Sequence, residues 1–209
     1  MRRTIFDKDH ELFREAVREF LDRQVVPRTE EIQAAHAIPR DIWTAAGEQG
    51  FLGLQVPEEH GGSGATDYRY TAVLTEELAR HSAALASCFG IHLDVNAPYL
   101  TELTSPQQKE RWLPGFCSGE ILTSIAMTEP GGGSDLAALK TTAVADGDGW
   151  VLNGSKTFIT NGYSSDLVIV AARTTPGRGA RGISLFGVEA TAEGFSRGRK
   201  LDKVGQDES

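Results

Sequence analysis

Thr128-Glu129-Pro130-Gly131-Gly132-Gly133-Ser134-Asp135 separates two kinds of sequence. An apolar run, Ile121 to Met127, leads into it, and a polar-alternating run, Leu139 to Ala145, leads out. Glycine lacks a Cβ, so three in succession let the backbone take positive φ and pass close to a ligand. Successive N–H groups in such a turn form a concave cradle for an anion. The hydroxyls of Thr128 and Ser134 stand at its two lips. The same residue types also build a plain surface turn, and the octapeptide by itself leaves both readings open. No G-x-G-x-x-G opens a helix here, so a Rossmann dinucleotide site is not indicated.

Upstream the apolar period is helical. Leu12, Phe13, Ala16, Val17, Phe20 and Leu21 recur at helical spacing between charges, which predicts a helix over Asp7 to Val26. Asp7 or Asp9 caps its start, Pro27 ends it, and its charged face is expected to be solvated. Pro39 opens a second helix lined by Ile42, Trp43 and Ala46, with Gly50 after its end. Thr66 or Asp67 caps a third, with Tyr70, Val73, Leu74 and Leu78 inward. Ser82 to Val95 is apolar nearly all round, the pattern of a helix buried on all sides. His92 within it reads as a satisfied core histidine. Pro98 begins a short helical turn. Ser105-Pro106-Gln107-Gln108 is a capping box whose helix is expected to stop at Pro114-Gly115.

Downstream the period becomes two. Ile121 to Met127, Lys140 to Ala145, Trp150 to Leu152, Ser155 to Thr160, Leu167 to Ala172 and Ile183 to Val188 read as strands. Asp146-Gly147-Asp148-Gly149 and Asn153-Gly154 read as hairpin turns. Helices therefore fill residues 1–120 and strands 121–209, which predicts an α+β chain of two domains: an all-α bundle, then a small antiparallel β domain.

Composition limits the function classes. A net charge of −8 argues against nucleic acid and anionic membrane as partners. No apolar run approaches the ~18 residues of a membrane span. Cys88 and Cys117 sit in apolar surroundings and read as buried reduced thiols of a cytoplasmic protein, a disulfide being the alternative. No Cys/His spacing suits zinc, and His60 has no companion ligand.

Three segments carry a resemblance. Thr128 to Asp135 is similar to the T-E-P-x-x-G-S-D signature of the acyl-CoA dehydrogenase family. Asn153-Gly154-Ser155-Lys156-Thr157-Phe158-Ile159-Thr160-Asn161-Gly162 resembles that family's N-G-x-K-x-[WF]-I-T-N-G segment. Pro57-Glu58-Glu59-His60-Gly61-Gly62 resembles its P-E-E-Y-G-G loop, with histidine where tyrosine is common. The order and spacing are the family's, and the likeness covers the whole chain, about the first half of the family's usual length. Lys200-Leu201-Asp202-Lys203-Val204-Gly205 resembles its K-L-x-K-x-G approach to a further strand, so the chain is expected to be a truncated fragment whose β-barrel-like middle domain is incomplete.

The resemblance implies an FAD-dependent enzyme that oxidises an acyl-CoA thioester to the trans-2-enoyl-CoA, in fatty-acid or branched-acyl catabolism. A carboxylate base takes the α proton and the β hydride goes to flavin N5. The implied base is a glutamate beyond residue 209, so no catalytic residue is expected in this chain and the fragment alone is expected to be inactive. Ile125, Met127 and Thr128 are implied at the pyrimidine edge of the flavin, Gly133 among the cofactor-binding residues, and Ser134 by the pyrophosphate and at the mouth of the acyl-CoA channel. Phe158 is implied against a face of the ring, with Ile159 and Thr160 beside it and the Thr160 hydroxyl toward N5. Read without the family, Phe158 is a core residue or a cross-strand packer and Thr160 a turn residue. Glu129 and Asp135 are expected to be structural, Asp135 as a cap. The implied partners are an electron-transfer flavoprotein and further copies of the chain, as a tetramer or dimer. An acyl-CoA oxidase or flavin monooxygenase of the same fold, or a non-catalytic relative used for binding or assembly, are the alternatives.

Overall fold

The computed structural model describes residues 4–209. The chain divides into two compact units. One holds the residues up to Leu122 with Arg199–Ser209, and the other is Thr123–Gly198. Residues 199–209, grouped with the strands in the sequence reading, therefore pack on the helices: Lys200 Nζ donates to the carbonyls of Ala35 and His36, and Asp207 pairs with the His36 ring.

In the helical unit, α1 (Lys8–Phe20) starts from a capping box in which Asp7 accepts from the amides of Asp9 and His10. Val17 and Phe20 face the core, whereas Leu12 is 53% exposed, so the apolar stripe is narrower than its spacing suggests. Pro27 does not end the helical path. A π-helical turn (Leu21–Val25) and a 3-10 turn (Val26–Arg28) absorb it, and α2 (Thr29–Ala35) follows. One part of the α1 charged face is not solvated. Arg14, 7% exposed, donates to Glu77 at 2.7 Å and Glu76 at 3.0 Å, and Arg18 joins Glu77 at 2.8 Å. Two arginines one turn apart share a carboxylate from α4 (Arg69–His81), about sixty positions on, which helical spacing cannot reveal.

α3 (Arg40–Glu48) buries Ile42, Trp43 and Ala46, and Gly50 takes φ +75° after its end. Trp43 stacks on Phe89 of α5 (Ala83–Gly90) at 4.3 Å. The expected helix over Ser82 to Val95 is α5, capped by Ser82, followed by a π-helical turn (Ile91–Asn96). Its burial is not complete, because Val95 is 38% exposed. His92 is a core histidine, wholly buried, with Nε2 3.0 Å from the Phe116 carbonyl. After α6 (Ala97–Glu102), α7 (Pro106–Ser118) opens with the expected Ser105–Gln108 box but runs past Pro114. Burial of Leu113, Phe116 and Cys117 outweighs the lost hydrogen bond there, and Gly119 at φ +79° ends the helix. Cys88 and Cys117 are buried and not joined in a disulfide, and burial pushes their thiols up to about 12 and about 11.

The Pro57–Gly64 loop belongs to this unit. A Cβ on Gly62 would lie 2.0 Å from the Val56 carbonyl, and Gly61 stands at φ +90°, so both glycines serve the turn itself.

The second unit is one five-stranded sheet. It contains β1 (Thr123–Ala126), β2 (Thr142–Asp146), β3 (Gly149–Asn153), β4 (Leu167–Arg173) and β5 (Ile183–Glu189). β2–β3 is antiparallel, as the Asp146–Gly149 turn predicts, and β4–β5 is antiparallel as well. The sheet is nevertheless mixed, not wholly antiparallel. β1 pairs β4 in parallel from Thr123↔Leu167 to Ala126↔Val170, and β2 meets β4 in parallel at Thr142↔Arg173. Turn signals report only neighbours in sequence. The crossover from β1 to β4 spans the whole β2–β3 hairpin, so its direction is set by tertiary pairing. β4, buried along most of its length, is the centre of the sheet. No helix among the described residues is long and apolar enough to cross a membrane.

Candidate functional site

The glycine-bearing bend follows β1 directly. Glu129 and Gly132 exchange two backbone hydrogen bonds of 3.0 Å around Pro130-Gly131, a closed two-residue reversal. None of Gly131, Gly132 and Gly133 takes positive φ, and a Cβ on Gly131 or Gly132 would meet nothing within 4 Å. Of the two readings left open by the octapeptide, the backbone is that of a closed turn rather than a cradle of successive amides, with the Gly132 N–H pointing back to Glu129. Gly133 closes on Thr128, whose Cγ2 would lie 3.4 Å from an added Cβ. Ser134 is exposed one residue on, and Asp135 caps the short turn Leu136–Ala138 by accepting from Ala137 N at 3.1 Å.

Glu129 is the buried hinge of this bend, 9% exposed. Its carboxylate accepts from Lys140 N at 2.6 Å, Thr141 N at 2.8 Å, Thr141 Oγ1 at 2.5 Å and Lys156 Nζ at 3.0 Å. Burial alone would raise its pKa. The hydrogen bonds from Thr141, Lys140 and Lys156 override burial and hold the group at about 2.

The second motif reaches the first by way of Thr141, which donates to Glu129 and packs on Gly154. A Cβ there would sit 2.3 Å from Thr141 Oγ1, so only glycine lets the chain cross Thr141. Two residues later, Lys156 reaches both Glu129 and the Met127 carbonyl, each at 3.0 Å. Thr157 N then donates to the Thr128 carbonyl at 3.0 Å. Ser155 to Thr160 is consequently not the return strand that the sequence predicts, and Asn153-Gly154 is not a hairpin turn. These residues form a loop whose polar groups bond to residues 127–129 instead of to β3. Phe158 stands in it at φ +57° and 73% exposed. Left-handed backbone is unfavourable for a bulky residue and clusters at functional sites. Asn161, a residue type that tolerates this conformation, follows at φ +63° with its Nδ2 donating to the Thr123 carbonyl. Gly162 turns tightly under Ile159, where a Cβ would lie 2.8 Å from the Ile159 carbonyl.

The structure thus ties Met127 and Thr128 to Lys156 and Thr157, with Gly133 against Thr128 and Ile125 half-buried within β1; Phe158, Ile159 and Thr160 follow Thr157 in the same loop. Ser134 stands at the margin of this edge. Among the described residues, the chain offers no hydrogen-bond partner to the hydroxyls of Thr128, Ser134 or Thr160. Sequence reasoning missed Thr141 and Lys156, which hold this edge together. The lysine was visible in its motif, but its partner lies 27 positions away. No group of three or more His, Cys, Asp or Glu among the described residues could hold a metal.

Two family models match this chain. One describes the acyl-CoA dehydrogenase N-terminal domain and covers residues 7–120; the other describes the middle domain and covers 124–209. The chain belongs to the acyl-CoA dehydrogenase family. The long-chain specific acyl-CoA dehydrogenase, mitochondrial, of Mus musculus is 46% identical over 207 residues, 97% of this chain and 47% of that protein. An acyl-CoA dehydrogenase crystal structure from Geobacillus kaustophilus superimposes with TM-score 0.94 at 45% identity, over 98% of this chain and 54% of that one. An acyl-CoA dehydrogenase from Bacillus anthracis, crystallised in complex with FAD, gives TM-score 0.87 at 31% identity, over 99% of this chain and 35% of that one. The chain spans about half the length of the curated relatives it matches. In this member of the family the two glycine-bearing motifs are the ones that meet at the edge described above.

Proposed function

We propose that this chain supplies the flavin-holding part of an FAD-dependent acyl-CoA dehydrogenase. The observation that carries the reading is Phe158. A large aromatic side chain that is 73% exposed on left-handed backbone gains nothing from folding alone, and the Thr128 and Thr160 hydroxyls of the two motifs have no hydrogen-bond partner among the described residues. Such a side chain fits a planar ring laid against it. The residues around it suit a flavin, which needs hydrogen-bond donors along its pyrimidine edge and offers an apolar face. When bound, FAD supplies hydride-accepting chemistry toward the β carbon of an acyl-CoA thioester. Ile125, Met127 and Thr128 would hold the pyrimidine edge, Gly133 and Ser134 the pyrophosphate, and Phe158, Ile159 and Thr160 the ring and its N5 side. Ser134 would also border the acyl-CoA entrance. Glu129 does not serve as the base for the α proton, because four donors occupy its carboxylate and its pKa of about 2 makes it a weak proton acceptor. We assign the base to a residue outside these 209. An electron-transfer flavoprotein as acceptor, assembly with further copies and a cytoplasmic site belong to the same reading; two buried cysteines outside any disulfide support a reducing compartment.

Anaerobic titration of the intact holoenzyme with straight and branched acyl-CoAs tests the proposal. Bleaching of the bound flavin by one class of thioester is expected. A protein that retains no FAD after reconstitution refutes it.

A further inference from the structure

Lys156 makes contacts that none of the flavin-contacting roles proposed above uses. Its side chain is only 10% exposed. Its ammonium stands 3.0 Å from Glu129 Oε1 and 3.0 Å from the Met127 carbonyl, while the next residue, Thr157, is bonded through N–H to the Thr128 carbonyl. The Met127 carbonyl belongs to the same peptide unit as the Thr128 N–H. A cation on one end of a peptide polarises the other, because linked hydrogen bonds strengthen one another in low-dielectric surroundings. Charge-assisted bonds are also the stronger ones. The ammonium therefore acts on both segments of the candidate site: it anchors the Phe158–Thr160 loop to Glu129, and it makes the Thr128 N–H a stronger donor.

We propose that Lys156 is the positioning residue of the cofactor site, holding the 127–129 and 156–160 segments in register and tuning the bound flavin through the Met127–Thr128 peptide. The proposal rests on the flavin reading above. Negative charge develops on a flavin as it is reduced, so a polarised donor at its edge favours the reduced form. Removal of the ammonium also leaves the Glu129 carboxylate without its one cationic partner in this set of four donors. Both effects lower the flavin potential.

The test compares intact holoenzyme carrying Lys156→Gln, Lys156→Met or Lys156→Arg with the native protein, measuring FAD dissociation by fluorescence and the flavin midpoint potential. Gln and Met are expected to weaken FAD at least tenfold. They are also expected to cut the preference for reduced over oxidised flavin about tenfold, about 30 mV for a two-electron couple. Arg keeps the charge and should keep the native potential. Thermal melts identify any variant that does not fold. If Met fails to fold, the Gln and Arg pair carries the comparison. Gln with native affinity and potential, or Arg with the same loss as Gln, overturns the proposal while leaving the flavin reading intact. A native protein that binds no FAD overturns both.

Discussion

Replacing Glu129 by Gln removes charge and acceptor capacity at the one carboxylate that joins the two motifs. The carboxylate takes four donors, three of them within 2.8 Å. An amide keeps one accepting oxygen and turns an NH₂ toward the remaining donors, so at least one buried donor loses its acceptor. The magnitude follows from the acid–base equilibrium. The folded-state pKa of about 2 lies below the ordinary value of 4.5. At about 1.4 kcal/mol per unit, the ionised group contributes about 3 kcal/mol at neutral pH. Because the folded value is the depressed one, this contribution is complete above about pH 4.5 and fades as pH falls toward 2. Amide hydrogen exchange in peptides covering β1 and β4 reads the sheet unit alone. Exchange through opening of that unit should be about a hundredfold faster in Glu129→Gln than in the native chain at pH 7, and only about tenfold faster at pH 3. A ratio near one at pH 7 would refute the claim that this carboxylate holds the bend. A ratio that does not shrink on acidification would show that its ionisation is irrelevant.

Gly154→Ala places a methyl group 2.3 Å from Thr141 Oγ1 and should destabilise the sheet unit by about 1–3 kcal/mol in urea melts, with no change in the helical unit. Phe158→Gly relieves left-handed strain at φ +57° and should raise stability by about 1 kcal/mol while weakening FAD, as read by a melt and a fluorescence titration. Thr160→Val should slow flavin reduction by acyl-CoA in stopped flow and leave the melt unchanged; native kinetics would remove Thr160 from the site. Trp43→Ala empties the space beside Phe89, 4.3 Å away, and should cost about 3–5 kcal/mol in the helical unit by circular dichroism.

Local chemistry made much of this protein legible before any coordinates. The Ser105–Gln108 box, Asp7 as a cap, the Asp146–Gly149 hairpin and the change from helical to alternating period each depend on a few adjacent residues, and all appear in the structure. The two motifs were legible as patterns for the same reason. What the sequence alone could not determine lies in partners far apart along the chain. It could not pair β1 with β4 in parallel across an intervening hairpin, or bury Arg14 against Glu77. It could not show that Gly154 crosses Thr141, nor that the presumed strand after it is a loop tied to residues 127–129. Propensity and period describe a chain's neighbours in sequence. The edge that brings the Phe158 loop to Thr128 is tied by the Thr157–Thr128 backbone bond and by a buried carboxylate, whose donors tertiary structure supplies from 11, 12 and 27 residues away.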